Sequence, residues 1–158
     1  MLTIRKFESR DMDAITKLVE ATGVFRNDEV DVAIELMDIA AAEPNQKDYL
    51  LYSGIDDHDD VVGYYCVGPT PMTQSTFDLY WIAVHPQYHG KQFGTQLLQH
   101  CEALVKSMDG SLVLAETSSQ PKYQPTRNFY LRNQYTESAR IKNYYMPGDD
   151  LVIYTKYL

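Results

Sequence analysis

Positive charge is in short supply in this chain. Lys and Arg number 14 against 22 Asp and Glu, leaving a formal net charge of −8. That balance excludes sequence-independent nucleic-acid binding, which needs a surplus of cations to neutralise phosphates. Cysteine is scarce too: Cys66 falls in a predicted strand and Cys101 on a predicted helical core face, so both read as buried free thiols of a reducing compartment. No apolar run nears the length of about 20 residues that spans a bilayer, and the opening MLTIRKFESRDMDAI lacks the apolar core of a secretory leader. The expectation is a cytoplasmic protein with neither a membrane nor a nucleic-acid partner. Repeats, linkers and low-complexity tracts are also missing, so residues 1–158 read as one domain. The dinucleotide fingerprint G-x-G-x-x-G and the P-loop G-x-x-x-x-G-K-[ST] are absent.

What is present centres on Leu79 to Leu98, LYWIAVHPQYHGKQFGTQLL. Leu79 to Val84 is an apolar, aromatic and β-branched run, the composition of a strand. His85-Pro86 ends it, because proline cannot donate to a sheet ladder. Gly90 and Gly94 follow, and from Phe93 the apolar positions Phe93, Leu97, Leu98, Cys101, Leu104, Val105 and Met108 take the spacing of one helix face. A strand, a glycine-containing loop and a helix in that order aim free backbone N–H groups and the positive end of a helix dipole at one point. A phosphate suits that point.

The rest of the chain reads as alternating strands and helices. Leu2–Phe7 predicts a strand; a helix follows with Met12, Ile15, Leu18 and Val19 on one side, capped by Ser9, Asp11 or Asp13 and ended by Gly23. A second helix is expected from about Asp28 to Ala42, with Asp28, Glu29 and Asp31 complementing its dipole and Pro44 closing it. Asp48–Ile55 and Val61–Val67 predict a hairpin whose acidic tip Asp56–Asp60, with His58, matches no calcium-loop spacing and reads as a solvated turn. Strands are further expected at Thr76–Val84 and Ser111–Glu116, a short helix at Thr126–Asn133, and two closing antiparallel strands beyond Thr136.

Val84 and Pro86, then Gly90-Lys91, Gly94 and the helix behind them, resemble the acyl-CoA loop of the GCN5-related N-acetyltransferases (GNAT superfamily), V-x-P followed by Q/R-x-x-G-x-G/A. His89 stands where Gln or Arg is usual, and Gln92 at the first glycine. TRNFYLRNQY is similar to the pattern A-x-x-[FL]-Y-x-x-x-G-[FY]: Tyr130 falls on its tyrosine, Tyr135 on its final aromatic, and Gln134 replaces the glycine. The resemblance implies an α/β fold, a twisted mixed sheet of about seven strands with about four helices on both faces. It also implies transfer of an acetyl group from acetyl-CoA, bound as cosubstrate without a metal, to a primary amine of a small molecule or peptide. An acyl-CoA sensor without catalysis is the alternative, kept open by Gln92 and Gln134.

Acyl transfer requires a thioester held beside a neutral amine. Amides near Ile82, Ala83 and Val84 are expected to pair with the pantetheine arm once the fourth and fifth strands splay, a bulge near Ala83 starting the splay. The diphosphate is expected on the amides of His89, Gly90, Lys91, Gln92, Phe93, Gly94 and Thr95, with the Lys91 ammonium and Thr95 hydroxyl helping. Tyr130, with a pKa of about 10, suits protonation of the departing thiolate; the other role open to it is packing. Glu116, ending the fifth strand, is the carboxylate placed to act as base, directly or through water, or else to make a structural hydrogen bond. His89 is expected to face the phosphates, His85 to cap the strand, His100 to lie on the surface, Trp81 to pack, and Arg127 and Lys122 to be solvated charges unless they meet adenosine phosphates. An exposed edge strand near the C-terminus makes a homodimer an open expectation.

Overall fold

The computed structural model describes residues 1–158. Its centre is a seven-stranded mixed sheet in the order β1-β2-β3-β4-β5-β7-β6. The strands are β1 (Thr3–Lys6), β2 (Leu50–Ile55), β3 (Val61–Pro69), β4 (Thr76–Val84), β5 (Leu112–Ser118), β6 (Thr136–Met146) and β7 (Asp149–Tyr157). The helices are α1 (Met12–Ala21), α2 (Asn27–Ala42), α3 (Phe93–Ser107) and α4 (Gln124–Arg132).

Alternation along the strands divides the core between the two faces of the sheet. Tyr64 and Cys66 pack with Ile15, Leu18 and Val19 of α1 and Val30 and Met37 of α2. Tyr65 and Val67 pack with Leu97, Leu98, Cys101 and Val105 of α3 and Tyr130 of α4. Cys66 and Cys101 therefore lie on opposite faces, both free and buried, and burial pushes both thiols up. On α2 the buried face is Val30, Ala33, Leu36 and Met37. Ile34, beside that face, is only half-buried.

The ladder fails where the site lies. β4 and β5 are parallel but paired only from Thr76–Asp78 to Leu112–Leu114. Further along, β5 keeps its β7 partner as far as Ser118, while β4 follows β3 away. The expected bulge exists, three residues earlier than the sequence suggested: Cys66 pairs with Trp81 but Val67 with Leu79, so Tyr80, not Ala83, is the extra residue that turns β4. His85 N–H donates to Val62 O at 2.8 Å. By alternation, the backbone groups of residues 83 and 81 also face β3, and those of Ile82 and Val84 point into the gap.

A partly buried ion pair pins the entry to α1. Arg5 forks onto Asp11 with two hydrogen bonds of 2.7 Å, and Asp11 also accepts from Ser53 Oγ and the Glu8 amide. At the opposite edge β6 pairs only with β7, and all its residues are exposed. No helix is long and apolar enough to cross a membrane.

Candidate active site

The gap between β4 and β5 opens into a cleft of about 530 Å³. Its walls include Ile82, Ala83 and Val84 of β4, His89, Gly90 and Gln92 of the loop, Phe93, Gly94 and Thr95 of α3, and Phe129 and Arg132 of α4. The structure thus gathers every sequence-predicted cofactor residue except Lys91, whose ammonium sits over the Tyr88 ring at 4.7 Å.

The loop's backbone determines what this cleft can hold. The amides of His89 and Lys91 are committed to Pro86 O at 3.1 Å and Tyr88 O at 3.4 Å. Those of Gly90, Gln92, Phe93, Gly94 and Thr95 donate to no protein group. They are the open donors of a helix N-terminus, aimed with its dipole at one end of the cleft. Gln92 reaches this geometry in the left-handed region (φ 60°, ψ 16°), immediately before the first turn of α3, and Gly90 has φ 80°. The glutamine thus takes a conformation that glycine adopts freely, with a strain of about 1 kcal/mol. Gln134 does the same at φ 69°, ending α4 in a Schellman motif: Tyr135 N–H reaches Tyr130 O at 3.0 Å and Gln134 N–H reaches Leu131 O at 3.1 Å.

Beyond Phe25, Ile82 and Thr126, which line both spaces, lies a second pocket of about 150 Å³ that holds Tyr130 and Glu116. Tyr130 is 5 % exposed, its ring stacked on Tyr154 at 5.5 Å, and its hydroxyl has no hydrogen-bond partner although it lines the pocket. Burial pushes the phenol above its ordinary value, higher than the sequence-based expectation. It is therefore protonated at any working pH and able to donate but not to accept a proton. Glu116 pairs with Ile153 through its backbone, and its carboxylate accepts no hydrogen bond from the protein. Desolvation by the pocket walls raises its pKa, and the charge of Asp78 adds to the shift.

Several expectations are corrected. His89 lines the cleft, but its Nε2–H donates to Val84 O at 2.9 Å and so ties the loop to the end of β4. His85 Nδ1 accepts from Gln87 N–H and caps the following 3-10 turn. His100 is half-buried rather than free on the surface: its Nδ1 bonds the Tyr65 hydroxyl at 2.7 Å. Arg127 is buried, donating to Ser118 O at 2.7 Å, Gln120 O at 2.9 Å and Gln124 Oε1 at 2.8 Å, and so fastens the connection from β5 to α4. Trp81 packs edge-on against Phe25 at 4.7 Å, as expected, and also lines the second pocket. Lys122 lies on the cleft wall.

The sequence did not point to Phe25, Glu29, Tyr123 or Arg132. Tyr123 Oη–H bridges the pocket mouth to Val24 O at 3.2 Å and to the Glu29 carboxylate at 3.2 Å and 3.3 Å. Only the aromatic just beyond the Gly23 stop could have signalled this wall. No group of three or more His, Cys, Asp or Glu is placed to hold a metal.

A mixed α/β sheet splayed between its fourth and fifth strands, with open amides at a helix N-terminus beside the gap, defines a fold class with an anion-suited cleft, and comparison with known proteins gives it a family. The acetyltransferase (GNAT) domain family matches residues 47–137, more than half the chain. A GNAT-family protein from Desulfovibrio desulfuricans is 39% identical over 99% of both chains, with a TM-score of 0.95. The ribosomal-protein-S18-alanine N-acetyltransferase from Escherichia coli shares the fold at 18% identity and TM-score 0.77, over 99% of this chain and 94% of that one. The PaiA N-acetyltransferase from Thermoplasma acidophilum, solved with coenzyme A, does so at 16% identity and TM-score 0.75, over 100% and 99%. No curated protein matches significantly. The chain belongs to the GNAT acetyltransferase family.

Proposed function

We propose that this protein transfers an acetyl group from acetyl-CoA to a primary amine of a small molecule or peptide by direct attack in a ternary complex. The observation that carries the reading is the row of uncommitted amides at Gly90 and Gln92–Thr95, at one end of a cleft whose other end opens on Tyr130 and Glu116. Acetyl-CoA supplies an activated acyl group and a thiol as leaving group. The amides suit its diphosphate, with Arg132 and Lys122 as cations on the same wall. The gap-facing N–H groups of Ile82 and Val84 suit the pantetheine arm, which would run beside β4 as a further strand does. Glu116, its pKa raised, takes the proton of the incoming ammonium, and Tyr130 gives a proton to the departing sulfur.

The sensor alternative rested on Gln92 and Gln134. Both hold the backbone path a glycine would take, so neither substitution favours it. Calorimetry with acetyl-CoA, followed by thiol release with a panel of amines, tests the function. Binding and amine-dependent thiol release are expected; absence of heat at saturating acetyl-CoA overturns the reading, and heat without thiol release restores the sensor.

A further inference from the structure

The pocket that holds Tyr130 and Glu116 is built for a cation. Phe25, Trp81, Tyr123 and Tyr145 supply aromatic faces, and Glu29 and Glu116 supply two carboxylates. Two nearly buried hydroxyls open onto it without partners, Tyr130 at 5 % exposure and Thr117 at 6 %, so its walls offer hydrogen bonds that only an occupant can take. Its one cationic side chain, Arg26, is already forked onto Asp28 at 3.0 Å and 3.3 Å. A carboxylate-bearing amine would find no free counter-charge there. Its volume of about 150 Å³ holds about five waters, or a molecule of about six to eight heavy atoms.

Building on the transferase reading, we propose that the acceptor is a compact, carboxylate-free alkyl diamine, its reacting nitrogen at Glu116 and its second ammonium held by the Glu29 carboxylate and the aromatic walls. Cations bind over Trp and Tyr faces, more strongly where water is excluded. The pocket's phenols report the same field: Tyr145 is pushed up to about 12, by desolvation first and by the Glu116 charge next. Tyr123 is pushed up by burial and then by Glu29. In the reaction the reacting ammonium gives one proton to Glu116, the N–C bond forms as the C–S bond breaks, and the sulfur takes the Tyr130 proton. Tyr130 is reprotonated from Glu116, or from solvent with Glu116 losing its proton there, once the other ammonium proton has left. The products are the mono-acetylated diamine, coenzyme A and one proton.

The test compares 1,4-diaminobutane, butylamine and 4-aminobutyrate, which share a chain and differ at the far end. Thiol release should give 1,4-diaminobutane a kcat/KM about ten-fold above butylamine, with 4-aminobutyrate lowest. Glu29 accepts the Arg26 amide at 2.8 Å at the start of α2 as well as the Tyr123 hydroxyl; Glu29→Gln can keep both contacts while removing the charge, and should bring diaminobutane to within about three-fold of butylamine. Equal or better turnover of 4-aminobutyrate, or a diamine preference unmoved by E29Q, overturns the proposal. Trp81 is the only tryptophan in the chain, so its emission in the coenzyme A-saturated protein reports occupancy without turnover. Quenching by 1,4-diaminobutane at lower concentration than by 4-aminobutyrate supports the pocket assignment even if no amine is acetylated, an outcome that overturns only the transferase reading. A flat Trp81 signal with diaminobutane overturns the assignment itself.

Discussion

Replacing Gly94 by valine tests the anion-binding turn with little disturbance elsewhere. A Cβ at residue 94 would lie 3.1 Å from Phe129 Cε2 and 3.8 Å from Val84 Cγ2, on the cleft wall. The valine methyls would then cover the approach to the open amides of Gly94 and Thr95. A hydrogen bond to a charged group contributes about 1.5–3 kcal/mol, so losing one or two costs about 2–4 kcal/mol. That corresponds to coenzyme A affinity about 30- to 1000-fold weaker. The fold should tolerate the change: removing a glycine from a helix gains a few tenths of a kcal/mol, which offsets the small shift required of the half-buried Phe129 ring.

Calorimetry should therefore show weak coenzyme A binding by G94V at a melting temperature within about 3 °C of the parent. S-acetylpantetheine, which lacks the diphosphate, should bind parent and variant alike. Equal coenzyme A affinity in the two proteins would refute the placement of the diphosphate on these amides. Equal losses for both ligands would refute it as well, because the variant would then be blocking the pantetheine channel.

Further outcomes follow from individual side chains. Tyr130→Phe keeps the ring that stacks on Tyr154 and strips a hydroxyl that bonds nothing, so kcat should fall about 100-fold with the melting temperature unchanged; a large thermal shift would make the residue structural. Glu116 is a base only when ionised and its pKa is raised, so kcat/KM should fall as pH drops through a value above the ordinary carboxylate pKa of about 4.3. E116Q should abolish that limb. Burial alone would raise Asp11, but the Arg5 fork, the Glu8 amide and the Ser53 hydroxyl outweigh it and hold its pKa down. Its contribution to stability is therefore complete above its unfolded value of about 3.9 and is lost as pH falls through the lower folded value. Asp11→Asn, which leaves Arg5 only the longer contact to Glu8 at 3.7 Å and its bond to Lys6 O, should cost about 1–2 kcal/mol at pH 7, a gap that closes in acid-melting curves. Gln134→Gly relieves a left-handed residue and should stabilise by about 0.5–1 kcal/mol in denaturant titrations.

The strand, loop and helix around residue 90 were legible because three independent signals coincide there. The apolar period changes from strand-like to helical, Pro86 stops the ladder, and glycine permits the turn. α3 accordingly starts at Phe93, where the periodicity placed it. The bulge was mislocated because it arises from how β4 pairs with β3, and Tyr80 carries no local mark distinguishing it from Ala83. Arg127 and His100 were misread for a related reason. Composition treats a charged or polar side chain as solvated, whereas three carbonyl oxygens collected from one connection satisfy Arg127 and a phenol on the neighbouring strand satisfies His100. Glu29 lay in a helix first turn, where a dipole explanation sufficed; only Tyr123, 94 residues away, shows that it faces a pocket.

The site depends on interactions the sheet leaves unmade. If β4 ran straight, residues 79–84 would be free to continue the parallel ladder with β5, and Ile82 and Val84 would point their backbone groups at a partner strand. The extra residue at Tyr80 turns β4 away after the pair Asp78–Leu114, and β5 remains satisfied on its other side by β7. The unpaired edge of β4 is left beside the open amides of α3, and each would be costly to bury without a partner. His89 and Arg127 secure the two sides, one tying the loop to Val84 and the other holding the connection that follows Ser118. A ligand that ends in a diphosphate and continues as an amide-bearing chain satisfies both sets of donors together, which is why the gap and the helix terminus are best understood as one binding surface.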